Sequence, residues 1–124
     1  MEIYFKLIHP DVQKQLLDRT EKKMQRLAKL IPADSYETHA YIEITKETGA
    51  HHSEAAWRAN VRMETRDGRF NATSTQRTPE KAADMAVNEM QSELRNHRAR
   101  ARSISRKADG FWKSLTQGDA TTAS

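Results

Sequence analysis

Residues 53–79 read SEAAWRANVRMETRDGRFNATSTQRTP, and the side-chain period along this stretch decides the fold. Ala55, Trp57, Ala59, Val61 and Met63 alternate with Arg58, Asn60 and Arg62, the signature of a half-buried strand over 53–65. Asp67-Gly68 predicts a tight hairpin turn whose two central positions both take positive φ. The return strand turns Phe70, Ala72 and Ser74 inward. Thr78-Pro79 then opens a helix, because a hydroxyl cap is followed by a residue whose fixed φ and missing N–H suit the first helical position. A hairpin running straight into a capped helix makes this an α+β chain.

Working upstream, the period of two recurs over 36–46, with Ala40, Ile42 and Ile44 facing one way and His39, Tyr41, Glu43 and Thr45 the other. The intervening 46–53, with Gly49 and His51-His52, reads as a loop. Before it, Val12, Leu16, Thr20, Met24, Leu27 and Ile31 keep helical spacing, with Leu17 and Ala28 widening the stripe. Pro10 or Asp11 is expected to open this helix and Pro32 to stop it. At the N-terminus Ile3, Phe5 and Leu7 alternate with Glu2, Tyr4 and Lys6, a first strand ended by His9-Pro10. The predicted order is β-α-β-β-β-α. The last three strands form an antiparallel meander, and the first joins the same sheet by a crossover. Each helix has one apolar face and so does the sheet, so both helices are expected on one face of a four-stranded sheet.

Downstream, the second helix should bury Ala83, Ala86, Met90, Leu94 and then His97 or Ala101. From Arg95 to Lys107 there are six basic residues and no acidic one: Arg95, Arg98, Arg100, Arg102, Arg106 and Lys107. The chain of 124 residues has a formal net charge of +4, and without these six it would be −2. At about 100° per residue, Arg95, Arg98, Arg102 and Arg106 share a face, Lys81 lies further along it, and Arg100 points elsewhere. Concentrated positive charge on an otherwise mildly acidic body points to a polyanion such as nucleic acid. A solvated helix end, where cations complement the macrodipole, is the simpler alternative. The helix is expected to fray after Arg102, leaving 1–104 as the domain and 105–124 as a flexible tail carrying Phe111-Trp112.

The same residues argue against catalysis. With no cysteine there is no thiolate ligand, thiol nucleophile or disulfide. Of the histidines at 9, 39, 51, 52 and 97 only His51-His52 are adjacent, a poor chelate without a third ligand. No phosphate-binding glycine loop or nucleophile-elbow motif occurs. No run approaches the apolar length of a membrane span, and no charged leader precedes an apolar run, so a cytoplasmic protein is expected. Tyr4, His39 and Tyr41 with Arg58 and Arg62 on the sheet's outer face could stack on bases or serve as solvated cross-strand pairs. Lys23, Arg26 and Lys29 on the first helix, with Arg95, Arg98 and Arg102 on the second, could form a two-helix platform for phosphates.

The element order, together with residues 21–30 (EKKMQRLAKL), 78–87 (TPEKAADMAV) and 93–102 (ELRNHRARAR), resembles the ribosome hibernation promoting factor and ribosome-associated inhibitor family, the sigma-54 modulation protein-like group. That family has a fold similar to a double-stranded-RNA-binding domain. The resemblance covers about residues 1–104. It implies binding to the small ribosomal subunit in the channel used by messenger RNA and transfer RNA anticodon ends, silencing idle ribosomes under stress or in stationary phase. It further implies ribosomal RNA contacts at Lys23, Arg26, Lys81, Arg95, Arg98, Arg100 and Arg102. No cofactor, metal, membrane or small-molecule substrate is expected, and the free protein is expected to be monomeric. The residues after Arg106 are too few for the second domain of long family members, so the chain resembles a short form. Where the family usually has a glycine soon after the first strand, this chain reads Leu7-Ile-His-Pro10. Two other readings stay open: a general structured-RNA binder, and a protein-interaction module using the basic helix and Phe111-Trp112.

Overall fold

A computed structural model describes residues 1–31, 37–47 and 56–123, with side chains in these ranges through 104 and at 107. Strand β1 (Glu2–Ile8) is followed by helix α1 (Lys14–Arg26), which tightens into a 3₁₀ turn over Leu27–Leu30. Strands β2 (His39–Glu47), β3 (Ala56–Thr65) and β4 (Gly68–Gln76) lead into helix α2 (Pro79–Ala123). The sheet order is β1-β2-β3-β4, with β1 parallel to β2 and the other pairs antiparallel. A parallel pair needs a crossover, and α1 supplies it.

The predicted alternation governs the two central strands. Ala40, Ile42 and Ile44 of β2 and Ala59, Val61 and Met63 of β3 are fully buried, and Trp57 nearly so. Against this face α1 packs Leu16, Thr20, Met24 and the following Leu27, and α2 packs Ala82, Ala83, Ala86, Val87, Met90 and Leu94. The side chains at 82, 83 and 86 are small and fully or almost fully buried. Thr20 is tolerated among apolar groups because its hydroxyl donates to the Leu16 carbonyl at 2.7 Å. The α+β expectation, with both helices on one sheet face, therefore holds. Residues Met1–Leu94 form one compact unit and Arg95–Ser124 a second.

Several local expectations are corrected. The register of β1 against β2 shifts between Phe5 and Leu7, leaving Lys6 as the extra residue of a bulge. Beyond it the facing reverses. Leu7 is 58% exposed and Ile8 packs on the core instead. Helix α1 begins at Lys14, not at Pro10 or Asp11. Residues 10–12 form a turn in which Val12 N–H donates to the His9 carbonyl and Asp11 N–H to His9 Nδ1. Ala28, expected on the buried stripe, is exposed. Ile31 is extended, at φ −106° and ψ 142°, the conformation favoured by the residue preceding a proline.

The hairpin also differs. Thr65 pairs with Gly68, so the two turn residues are Arg66 and Asp67. Neither has positive φ; Gly68 alone takes it among the described residues, at 140°. Thr65 Oγ1 accepts from Asp67 N–H and donates to the Gly68 carbonyl, bracing the turn with a side chain.

Helix α2 starts as predicted. Thr78 Oγ1 accepts from Lys81 N–H at 3.2 Å and the Thr78 carbonyl from Ala82 N–H at 3.0 Å. Its backbone stays helical through Ala123, which corrects the expected fraying after Arg102. In the second unit His97 is half-buried and Ala101 exposed, so the buried stripe does not extend to Ala101. Lys46 and Glu47, expected to begin the 46–53 loop, continue strand β2 instead. The expected start of β2 at Tyr36, the stop at Pro32, the remainder of that loop with His51-His52, and the side chains of Arg106, Phe111 and Trp112 lie outside the described residues.

Candidate nucleic-acid interface

Within Met1–Leu94 the last turn of α1 presents Lys23 and Arg26, where the helix C-terminus favours cations. They differ in environment. Lys23 Nζ lies 3.1 Å from Asp84 Oδ1 of α2. Arg19, one turn earlier on α1, places Nη2 3.4 Å from each Asp84 oxygen. One carboxylate thus holds two cations and ties α1 to α2. Arg26 is exposed and has no ion-pair partner among the described residues. Lys23 and Arg26 line one side of a shallow groove of about 120 Å³, completed by Leu27, Val87, Asn88 and Gln91. Its chemistry is mixed: two cations, two carboxamides and an apolar floor. Such a groove can hold a phosphate while offering amide donors and acceptors to a ribose or a base edge. Lys81 is exposed in the first turn of α2 and is not part of the groove's lining.

In Arg95–Ser124 the predicted cations Arg95, Arg98, Arg100 and Arg102 are all exposed. Arg95, Arg98 and Arg102 follow i, i+3, i+7 spacing and share a helix face, whereas Arg100 is rotated about 140° from Arg95. Guanidinium groups in this array suit phosphate, since each can donate two parallel hydrogen bonds.

Sequence reading did not single out Arg19, Asp84, Asn88 or Gln91. A signal for the first two was present. Arg19 and Lys23 are four residues apart and so share a helix face, and Asp84 adjoins the alanine stripe that had to be buried. The side chains of Asn88 and Gln91 carry no comparable mark. Among the described residues, no cluster of three His, Asp or Glu side chains could hold a metal ion. No helix among them is long and apolar enough to cross a membrane.

Comparison with known proteins follows the same lines. Several solved structures share the fold. The N-terminal domain of Protein Y from Thermus thermophilus is 22% identical, with a TM-score of 0.61, covering 78% of this chain and 99% of that one. A ribosomal subunit interface protein from Coxiella burnetii is 17% identical, with a TM-score of 0.59, covering 80% of this chain and 99% of that one. Among curated proteins none matches this chain. Residues 3–102 match the family described as Sigma 54 modulation protein / S30EA ribosomal protein, a family of ribosome-associated proteins. The match spans the whole sheet, α1 and the arginine-bearing part of α2, and the chain belongs to that family.

Proposed function

We propose that this protein binds the small ribosomal subunit in the channel used by messenger RNA and transfer RNA anticodon ends, and so silences idle ribosomes in the cytoplasm. The observation that carries the reading is the pair of basic surfaces on a chain of this family. One is Lys23 and Arg26 at the groove, with Lys81 on α2; the other is Arg95, Arg98, Arg100 and Arg102. Both present cations to phosphate, and the contacts are dominated by charge, which suits folded ribosomal RNA. In this reading residues 1–104 bind RNA, 105–124 are an appendage, and the free protein is a monomer.

The test is reversal of the exposed arginines. Arg95, Arg98 and Arg102 changed together to Glu should abolish binding to isolated small subunits while leaving the thermal unfolding of 1–94 unchanged, because none of the three belongs to the core. Duplex RNA added as competitor separates the ribosomal reading from general structured-RNA binding. A ribosome-specific protein stays on the subunit, and a general binder is displaced in proportion to duplex added. Retained subunit binding in the triple variant would refute the proposed surface.

A further inference from the structure

The sheet face turned away from the helices carries its own constellation. Strand register sets Tyr4, Tyr41, Arg62 and Asn71 in one row across all four strands. The Tyr4 and Tyr41 rings stack at 5.5 Å between centroids and 19° between planes, and His39 extends the aromatic group at 6.1 Å from Tyr4. The Arg62 guanidinium lies 4.8 Å from the Tyr41 centroid. Lys6, the extra residue of the β1 bulge, places Nζ 5.4 Å from both tyrosine centroids.

Charge singles out this row. Lys6 and Arg62 contact aromatic rings and have no carboxylate within ion-pair distance among the described residues. The nearest acids are otherwise engaged. Glu2 accepts a hydrogen bond from the Tyr4 hydroxyl and lies 3.4 Å from His39 Nδ1, and Glu47 pairs with Arg58 at 4.0 Å. Glu43 and Glu64 stand in the rows on either side. Glu64 is opposite Arg69 and Glu43 opposite Asn60, so the Tyr4–Tyr41–Arg62–Asn71 row is the one that joins cations to stacked aromatic rings. Aromatic faces suit unpaired bases, whereas the bases of a duplex are already stacked on one another. Aliphatic anchors of the kind a protein partner would use are scarce; the exposed large hydrophobics described are Tyr4, Leu7, Met85 and Ile104.

We propose that the open sheet face is a second nucleic-acid site, which takes a short single-stranded segment with bases stacked on Tyr41 and Tyr4 and phosphates at Lys6 and Arg62. Lys6 yields its place over the rings to an incoming base at little cost, since a water-exposed cation over an aromatic face is weakly held. Asn71 closes the row with a donor and an acceptor for a base edge. RNA is the form of nucleic acid that the ribosomal reading supplies, but the site itself does not depend on the helical cations.

The experiment uses the full chain and a single-stranded adenosine octamer, read by backbone-amide NMR shifts and by anisotropy of a labelled octamer. Shifts are expected at residues of β1, β2 and β3 around Tyr4, Tyr41 and Arg62. Tyr4→Ser with Tyr41→Thr should weaken octamer binding about tenfold or more, the scale of losing base stacking. Arg62→Glu should weaken it as well, and serves if the tyrosine variant loses the fold. The Arg95, Arg98 and Arg102 reversal should keep the sheet-face shifts. Octamer affinity unchanged in both sheet-face variants, or shifts confined to α1 and α2, would overturn the proposal. If small-subunit binding fails while the sheet-face shifts persist, the ribosomal reading falls and this one stands.

Discussion

Asp84 decides how much of α1's charge is available. Its carboxylate is partly exposed and engages both Arg19 and Lys23, so the contact contributes little stability, under about 1 kcal/mol. Asp84→Asn should therefore melt within a few degrees of the parent. It should also steepen the salt dependence of small-subunit binding, because two cations become free to replace counterions on phosphate. An unchanged salt slope would mean that the α1 cations do not touch RNA. At Tyr4 the hydrogen bond donated to Glu2 raises the phenol pKa above its ordinary 10.0, with desolvation and the Glu2 charge acting the same way. The fold thus favours the neutral phenol. Whatever stability this linkage contributes is fully present below the unfolded pKa and is lost as pH rises through the higher folded value. An NMR titration of the ring carbons should find Tyr4 ionising above the ordinary value, and Glu2→Gln should bring it back down. Gly68 is the third such position. A Cβ there would meet nothing within 4 Å, so Gly68→Ala should cost only the backbone strain of φ 140°, about 1–2 kcal/mol by chemical denaturation.

Elements differ in how openly the sequence declared them. Strands β2 and β3 are central and half-buried, so a strict period of two assigns Ile42, Ile44, Val61 and Met63 to the core directly. Strand β1 is an edge strand with an inserted residue, and no periodicity reveals where a bulge falls. Leu7 therefore looked buried by alternation and is exposed. In the β3–β4 hairpin the Asp-Gly pair marked a turn correctly but shifted it by one residue, because Thr65 braces the turn from its own side chain. Helix α2 was readable from its cap. Thr78→Ala should cost about 1 kcal/mol, which for a domain of this size lowers the melting temperature by about 4–8 °C. A melt unchanged by that substitution would mean that the Thr78 hydroxyl is replaced by water without loss. The basic surface was equally legible on α2, where six cations occur without an acid between Arg95 and Lys107. It was less so on α1, because pairing with Asp84 is a tertiary contact between helices far apart in sequence.

At the scale of the whole molecule, the sheet and helices organise charge on two surfaces. Within Met1–Leu94, Lys23 and Arg26 lie at the end of α1, and the sheet face away from the helices carries a stacked tyrosine pair flanked by Lys6 and Arg62. Arg95–Ser124 carries its own row of arginines. The family is one of ribosome-associated proteins, and concentrated charge on a body that is otherwise slightly acidic limits adhesion elsewhere. The most direct measurement is sedimentation of the purified protein with ribosomes through sucrose gradients at about 50 and 200 mM salt. For ~6 phosphate contacts, affinity should fall on the order of a thousandfold across that interval. The account predicts saturable co-migration with the small subunit or the intact ribosome at the lower salt and release at the higher. Protein that stays at the top of the gradient at both salts would contradict it.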